Sequence, residues 1–170
     1  MSNVTLNSGT VYCMAGPQAS GKSTLISSIL NSYSKWNIEV ISPDNFIYDE
    51  NKIYNWTPER AGYAWNSAFG LLDSTIKNGI FQKKVDVILF DAMFVNSKSR
   101  KDFVSRIHGY NIPCGIIALP VVDIETLLKR NSTRTSDRQI PEDSIIRCLK
   151  TYEQSRQYIS SEGFDHVIML

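Results

Sequence analysis

The stretch Gly16-Pro17-Gln18-Ala19-Ser20-Gly21-Lys22-Ser23, followed by Thr24, carries the spacing G-x-x-x-x-G-K-S. That is the pattern of a loop that wraps the phosphates of a nucleotide. Each residue type has a physical reason. Gly16 and Gly21 let the backbone come close and take conformations that a side chain would hinder. The loop N–H groups then point inward as a nest, and the helix that follows aims its positive end at the anionic oxygens. Lys22 reaches the outer phosphates as a point charge, and Ser23 is the expected hydroxyl ligand of Mg²⁺. ATP and Mg²⁺ are therefore the expected cofactors, with residues 16–24 as the ATP-binding loop. The alternative is a chance glycine-rich turn. The flanks argue against it: Val11 to Ala15 has strand composition, and Leu25, Ile26, Ile29 and Leu30 fit one face of a helix.

Phosphoryl transfer needs positioning, charge neutralisation and an oriented nucleophile more than covalent work by the protein. A hydroxyl acceptor also needs a carboxylate to take its proton. Asp44 and Asp91 are the candidates. Asp44 lies in the turn Ser42-Pro43-Asp44-Asn45 after an apolar run. It is expected to be the catalytic base, with an Asx-turn or a cap as the structural alternative. Asp91 ends Val87-Ile88-Leu89-Phe90, a Walker-B-like placement. It is expected either to hold the hydration shell of Mg²⁺ or to bond the acceptor, with a purely structural role as the alternative.

Arg130, Arg134 and Arg138 recur every four residues in a polar segment without an apolar face. If locally helical, they share one side. The segment is expected to be a mobile lid whose arginines close over the phosphates and stabilise transferring charge, Arg134 above all. The alternative is a solvated basic helix end. Tyr48, Tyr54 and Phe94 fall in loops near the expected site, where stacking on a base or ribose and simple packing are equally open. Trp65 reads as core. His108 and His166 show no ligand spacing and receive no role.

Alternating elements position these residues. Strands are expected at 11–15, 36–41, 85–91, 112–119 and 166–170. Helices are expected after Lys22, from Thr57 with Thr57 as N-cap and Pro58 at its first position to Asn78-Gly79, from about Ser97, from Ile124 with Asp123 as cap, and from Pro141. This alternation implies an α/β fold, a five-stranded parallel sheet with helices on both faces through right-handed crossovers. Ligands in such folds bind outside the carboxyl ends of the strands, where Gly16, Asp44 and Asp91 all fall.

At 170 residues the chain is expected to be one domain, with residues 1–8 a flexible N-terminus. A net charge of +1 provides no global field to attract nucleic acid, so such a site must be a local basic patch. Cys13, Cys114 and Cys148 are few and far apart, which suggests reduced thiols in a cytoplasmic protein. No apolar run reaches membrane-spanning length, and residues 1–8 lack a signal-peptide core.

The chain resembles the polynucleotide kinase-like P-loop kinases, especially the 5′-hydroxyl kinase domain of phage polynucleotide kinases, from Val11 to about Tyr158. Beyond the phosphate loop, the similarity is carried by Ile41-Ser42-Pro43-Asp44, by Phe90-Asp91 with Asn96 and Arg100, and by Leu128-Lys129-Arg130-Asn131-Ser132-Thr133-Arg134 with Ile140-Pro141. The resemblance implies a P-loop NTPase fold with an Arg-rich lid. It implies that Lys22 and Ser23 serve the donor, Asp44 activates the hydroxyl, Asp91 assists the acceptor and Arg134 clamps phosphate. The family pattern has an Arg three residues after the base, where this chain has Ile47, and polar residues after the strand-three Asp, where it has Ala92 and Met93. The 170 residues are accordingly expected to hold the kinase domain alone, without the phosphatase domain of bifunctional relatives.

The expected function is ATP-dependent phosphorylation of a nucleic-acid hydroxyl, most simply a polynucleotide 5′-OH end, in the cytoplasm (that of the host if phage-encoded). Two alternatives stand beside it. One is a kinase acting on a nucleoside, a small alcohol or a hydroxymethylated base in DNA. The other is a nucleotide-binding module without transfer.

Overall fold

The unbroken apolar run Val11 to Ala15 gives β1 (Thr10–Ala15) two buried faces. Val11, Cys13 and Ala15 join one core cluster, while Tyr12 and Met14 join another. A strand buried on both sides must be covered by helices on both sides. The computed structural model, which describes residues 4–170, has that arrangement. The remaining strands are β2 (Ile38–Ile41), β3 (Val87–Phe90), β4 (Cys114–Ala118) and β5 (His166–Met169). They pair in the order β2-β3-β1-β4-β5, every pairing parallel.

The helices are α1 (Lys22–Ser32), α2 (Pro58–Thr75), α3 (Ser97–His108), α4 (Ile124–Ser132) and α5 (Glu142–Ser155). One face of the sheet packs on Ala68, Leu72, Phe103, Ile107 and Tyr152, from α2, α3 and α5. The other packs on Ile26 and Ile29 of α1. Thr57, Asn96 and Asp123 cap α2, α3 and α4 through their side-chain oxygens. The α-helical part of α2 stops at Thr75, and a π turn over Ile76–Ile80 carries the chain on, so the expected stop at Asn78-Gly79 falls inside that turn.

One sequence expectation is corrected. Met1–Asn3 of the expected flexible N-terminus lie outside the described residues, but residues 4–8 are not loose. Val4 and Leu6 are buried against α1 and the sheet, Val4 O accepts from Tyr33 Oη (3.1 Å), and Asn7 N donates to Tyr12 Oη (2.9 Å). The apolar pair was too short to stand out as an element, and its partner Tyr33 is remote in sequence.

Arg100, to which the sequence assigned no separate role, lies inside the protein. It is fully buried, and Nε and Nη2 donate to Glu162 (both 2.7 Å). The guanidinium also donates to Phe94 O, Ser155 O and Ser155 Oγ. The pair ties the loop after β3 to the turn after α5. Asn96 of the same segment serves as the cap of α3.

Candidate active site

Hydrogen bonds stitch the carboxyl ends of the central strands together. Asp91 N donates to Ile41 O (2.8 Å), Gly16 N to Met93 O (2.8 Å) and Leu119 N to Ala15 O (2.9 Å). Because β1, β2 and β3 are in register, the residues that follow them emerge along one edge. Three segments distant in sequence therefore meet: the loop after β1, the short 3₁₀ turn Pro43–Phe46 and the residues after Phe90.

The loop has a built shape. A Cβ at Gly16 would come within 2.8 Å of Ser20 Oγ, and Gly21 has φ +102°. Ala19 also takes the left-handed region, at φ 61°. Ser20 Oγ donates to Pro17 O (2.7 Å) and closes the turn. Helix α1 starts with no side-chain cap, unlike α2, α3 and α4, and with no acidic residue in its first turn. Its first amides and its dipole thus face the loop without an anionic side chain. Gln18 Oε1 is buried there without a hydrogen-bond partner. These features fit a phosphate ligand.

Lys22 Nζ donates to Gly16 O (2.8 Å) and Pro17 O (2.7 Å). Burial pushes its pKa down to about 8, opposed by the charges of Asp91 and Asp44 and reinforced by that of Arg134. Burial likewise raises Asp91, while the Lys22 ammonium lowers it and Asp44 raises it further. Lys22, Asp44, Asp91 and Arg134 thus form one electrostatically coupled group. Cys148 of α5, half-buried, also acts on Lys22.

The Asp44 carboxylate bonds no backbone amide among the described residues, so it is not an Asx-turn or a cap here. Among the described residues its one ion pair is with Arg138, 3.7 Å away. Ser23, exposed in the first turn of α1, and Asp91 are hard oxygen donors suited to Mg²⁺. The described residues contain no group of three or more acidic, His or Cys side chains that would hold a metal unaided. The donor set fits an ion shared with phosphate and water.

The lid arginines do not share one helical face. Helix α4 ends at Ser132, so Arg130 is helical, Arg134 lies in the following turn and Arg138 ends a 3₁₀ turn, Ser136–Arg138. Arg130 Nη1 donates to Ala19 O (3.1 Å) in the phosphate loop. Arg138 Nη1 donates to Tyr48 Oη (2.7 Å), and its guanidinium lies 4.4 Å from the Tyr54 ring centroid. Spacing alone could not show this division, because it depends on where α4 stops. Tyr48 and Tyr54 face each other edge to face across a short antiparallel bridge at the site.

Phe94 resolves toward packing. It is buried against Phe90 and Phe103. Trp65, expected in the core, is instead 36% exposed. It lines an open groove of about 670 Å³ between α2 and α3 with Phe69, Phe94 and Arg106. His108 pairs with Asp165, and His166 stacks on Tyr12, both away from these residues in role.

A parallel sheet in this order, a phosphate loop between β1 and α1, and carboxylates at the ends of β2 and β3 define an α/β P-loop NTPase fold. Residues 11–158 match the family model described as AAA domain (AAA_33), and the chain belongs to that family. Among solved structures it is similar to a chain of the Pnkp1/Rnl/Hen1 RNA repair complex, with 19% identity and a TM-score of 0.72. That match covers 92% of this chain but 48% of the other, so this chain spans about half the length of that relative. It is also similar to Chaetomium thermophilum Kti12 in complex with ADP-AlF3 (14% identity, TM-score 0.61, 94% and 88% covered). Deoxyadenosine kinase from M. mycoides with bound dATP is a third (16% identity, TM-score 0.54, 94% and 90% covered). These likenesses bear out the P-loop fold expected from the sequence. No curated protein matches the chain by sequence. No helix among the described residues is long and apolar enough to cross a membrane.

Proposed function

We propose that this chain is an ATP-dependent kinase that phosphorylates a hydroxyl on nucleic acid, most simply the 5′-OH end of a polynucleotide. The observation that carries the proposal is the coupled group of Lys22, Asp44, Asp91 and Arg134 at one strand edge. A module that only binds nucleotide has no use for a carboxylate such as Asp44, which caps no backbone amide among the described residues and acts on the phosphate lysine.

In this mechanism residues 16–24 hold the donor phosphates, and Lys22 swings from the Gly16 and Pro17 carbonyls to the outer phosphate oxygens. Ser23 and Asp91 would hold Mg²⁺, which neutralises phosphate charge. The acceptor oxygen forms a bond to the γ-phosphorus as the bond to the β,γ-bridging oxygen breaks. ADP leaves, and the hydroxyl proton passes to Asp44. Arg134 stabilises the transferring charge. The similarity to a chain of an RNA repair complex supports a nucleic-acid end as acceptor.

A nucleoside-type acceptor is a second reading. Ile47 is buried, so that position presents no polar group to a polynucleotide, and the dATP-bound kinase shares the fold.

The test is transfer of labelled γ-phosphate from ATP to a 5′-hydroxyl oligonucleotide. Lys22→Ala is expected to abolish it, and Asp44→Asn to reduce it about 10²–10⁴-fold while nucleotide binding survives. Labelling of nucleosides but not oligonucleotides would establish the second reading. Unchanged transfer in Asp44→Asn would remove Asp44 from the mechanism.

A further inference from the structure

We infer that Arg138 is a positioning residue of the acceptor side, latching the lid onto the 48–54 hairpin and holding the Asp44 carboxylate. The inference rests on the kinase reading for the word acceptor, but the latch itself stands on geometry. One guanidinium makes three contacts outside the lid: the Tyr48 hydroxyl at 2.7 Å, the Tyr54 ring at 4.4 Å, and Asp44 Oδ2 at 3.7 Å. A planar cation can do all three at once, one edge bonding while its face stacks.

Both halves of the latch are built independently of it. The hairpin is closed by Asp49, whose carboxylate accepts from Asn51 N (2.9 Å) and Ile53 N (3.0 Å), and by Asp49 N donating to Ile53 O (2.9 Å). The lid is closed by buried Asn131, which donates to Ile140 O (2.8 Å) and accepts from Ile140 N (3.0 Å). Gln139 Nε2 bonds Arg134 O (3.0 Å) within the loop so formed. Arg138 is thus carried on an anchored loop to a preformed platform. The three lid arginines divide the site between them. Arg130 touches the phosphate loop, Arg134 acts on Lys22 at the centre, and Arg138 reaches past both to Asp44. Arg138 lies nearest Oδ2, so the other Asp44 oxygen is the freer one to accept the hydroxyl proton. On this reading the acceptor seats beneath the latch.

Arg138→Ala, Arg138→Lys and Tyr48→Phe test this through three readouts: titration with a fluorescent ATP analogue, the KM for a 5′-hydroxyl oligonucleotide at saturating ATP, and hydrogen exchange of residues 47–56. Arg138→Ala should raise the acceptor KM about tenfold or more, leave the nucleotide Kd within about twofold, and speed exchange in the hairpin. Tyr48→Phe, which loses only the hydroxyl contact, should fall between it and the parent. Lysine should rescue partly, because it cannot stack and bond in the same plane. A weakened nucleotide Kd with an unchanged acceptor KM would overturn the inference and return Arg138 to the donor phosphates. Unchanged exchange in the hairpin would overturn the latch. If the parent protein transfers phosphate to no acceptor, the kinase reading fails, while the exchange and nucleotide titrations still decide the latch.

Discussion

Replacing Glu162 by Gln isolates the charge in a fully buried ion pair. The side chains of Arg100 and Glu162 are both 0% exposed. The guanidinium has five N–H donors, and all are used: Glu162 takes two, Phe94 O one, and Ser155 Oγ and O one each. Glu162 Oε1 also accepts from Ser97 Oγ (2.7 Å). The substitution keeps the volume but leaves a buried cation facing an amide that presents donors of its own. Breaking a buried pair in this way costs about 3–5 kcal/mol. Against a total stability on the order of 5–15 kcal/mol, that is a large share. At about 2–4 °C per kcal/mol for a chain of this size, Tm should fall by about 6–20 °C. Urea unfolding followed by tryptophan fluorescence measures the loss directly. Arg100→Met strands the carboxylate and should cost a similar amount, and the double variant should lose clearly less than the two singles combined. The reasoning is refuted if Glu162→Gln costs under about 1 kcal/mol, the scale of a solvent-exposed pair, or if the two changes add. The pair matters to the site because Arg100 holds Phe94 O, and the residues just before Phe94 include Asp91 and Met93, the partner of Gly16.

Two further predictions concern binding and packing. With the Lys22 pKa lowered to about 8, the ammonium is present below that pH and lost above it. Nucleotide phosphates favour the charged form, so affinity should be flat below pH 8 and fall about tenfold per unit above it, until the raised pKa of the bound state is reached. Lys22→Ala should be weak and show no such bend, and a bend that survives in that variant would assign it elsewhere. Gly115→Ala would drive a methyl group into the Tyr12 ring on the neighbouring strand. The expected loss is about 1–3 kcal/mol or more in urea unfolding, and no loss would mean that the ring has room to move.

The parallel sheet was legible in the sequence because a strand covered on both faces has no polar alternation. Val87 to Phe90 and Cys114 to Ala118 show that directly. The caps Thr57 and Asp123 and the phosphate loop were legible because a cap or a phosphate cradle is made by residues within a few positions of one another. Trp65 was misread because helical spacing says which side of α2 faces inward, not whether α3 closes over it or leaves a groove. Val4 was misread, and Arg100 drew no role of its own, for the same kind of reason: their partners, Tyr33 and Glu162, are far along the chain.

The sequence by itself thus determined the fold class, the phosphate loop and the strand edge that bears Asp44 and Asp91. All of these follow from short-range patterns and from the rule that parallel strands place their carboxyl ends together. Only the tertiary structure decided which arginine meets which partner. Arg130, Arg134 and Arg138 are equivalent by spacing, yet the stop of α4 at Ser132 and the Asn131 clamp send them to three different places. A side chain's role there depends on loop closure across ninety residues from Tyr48 to Arg138, a separation at which local pattern carries no information.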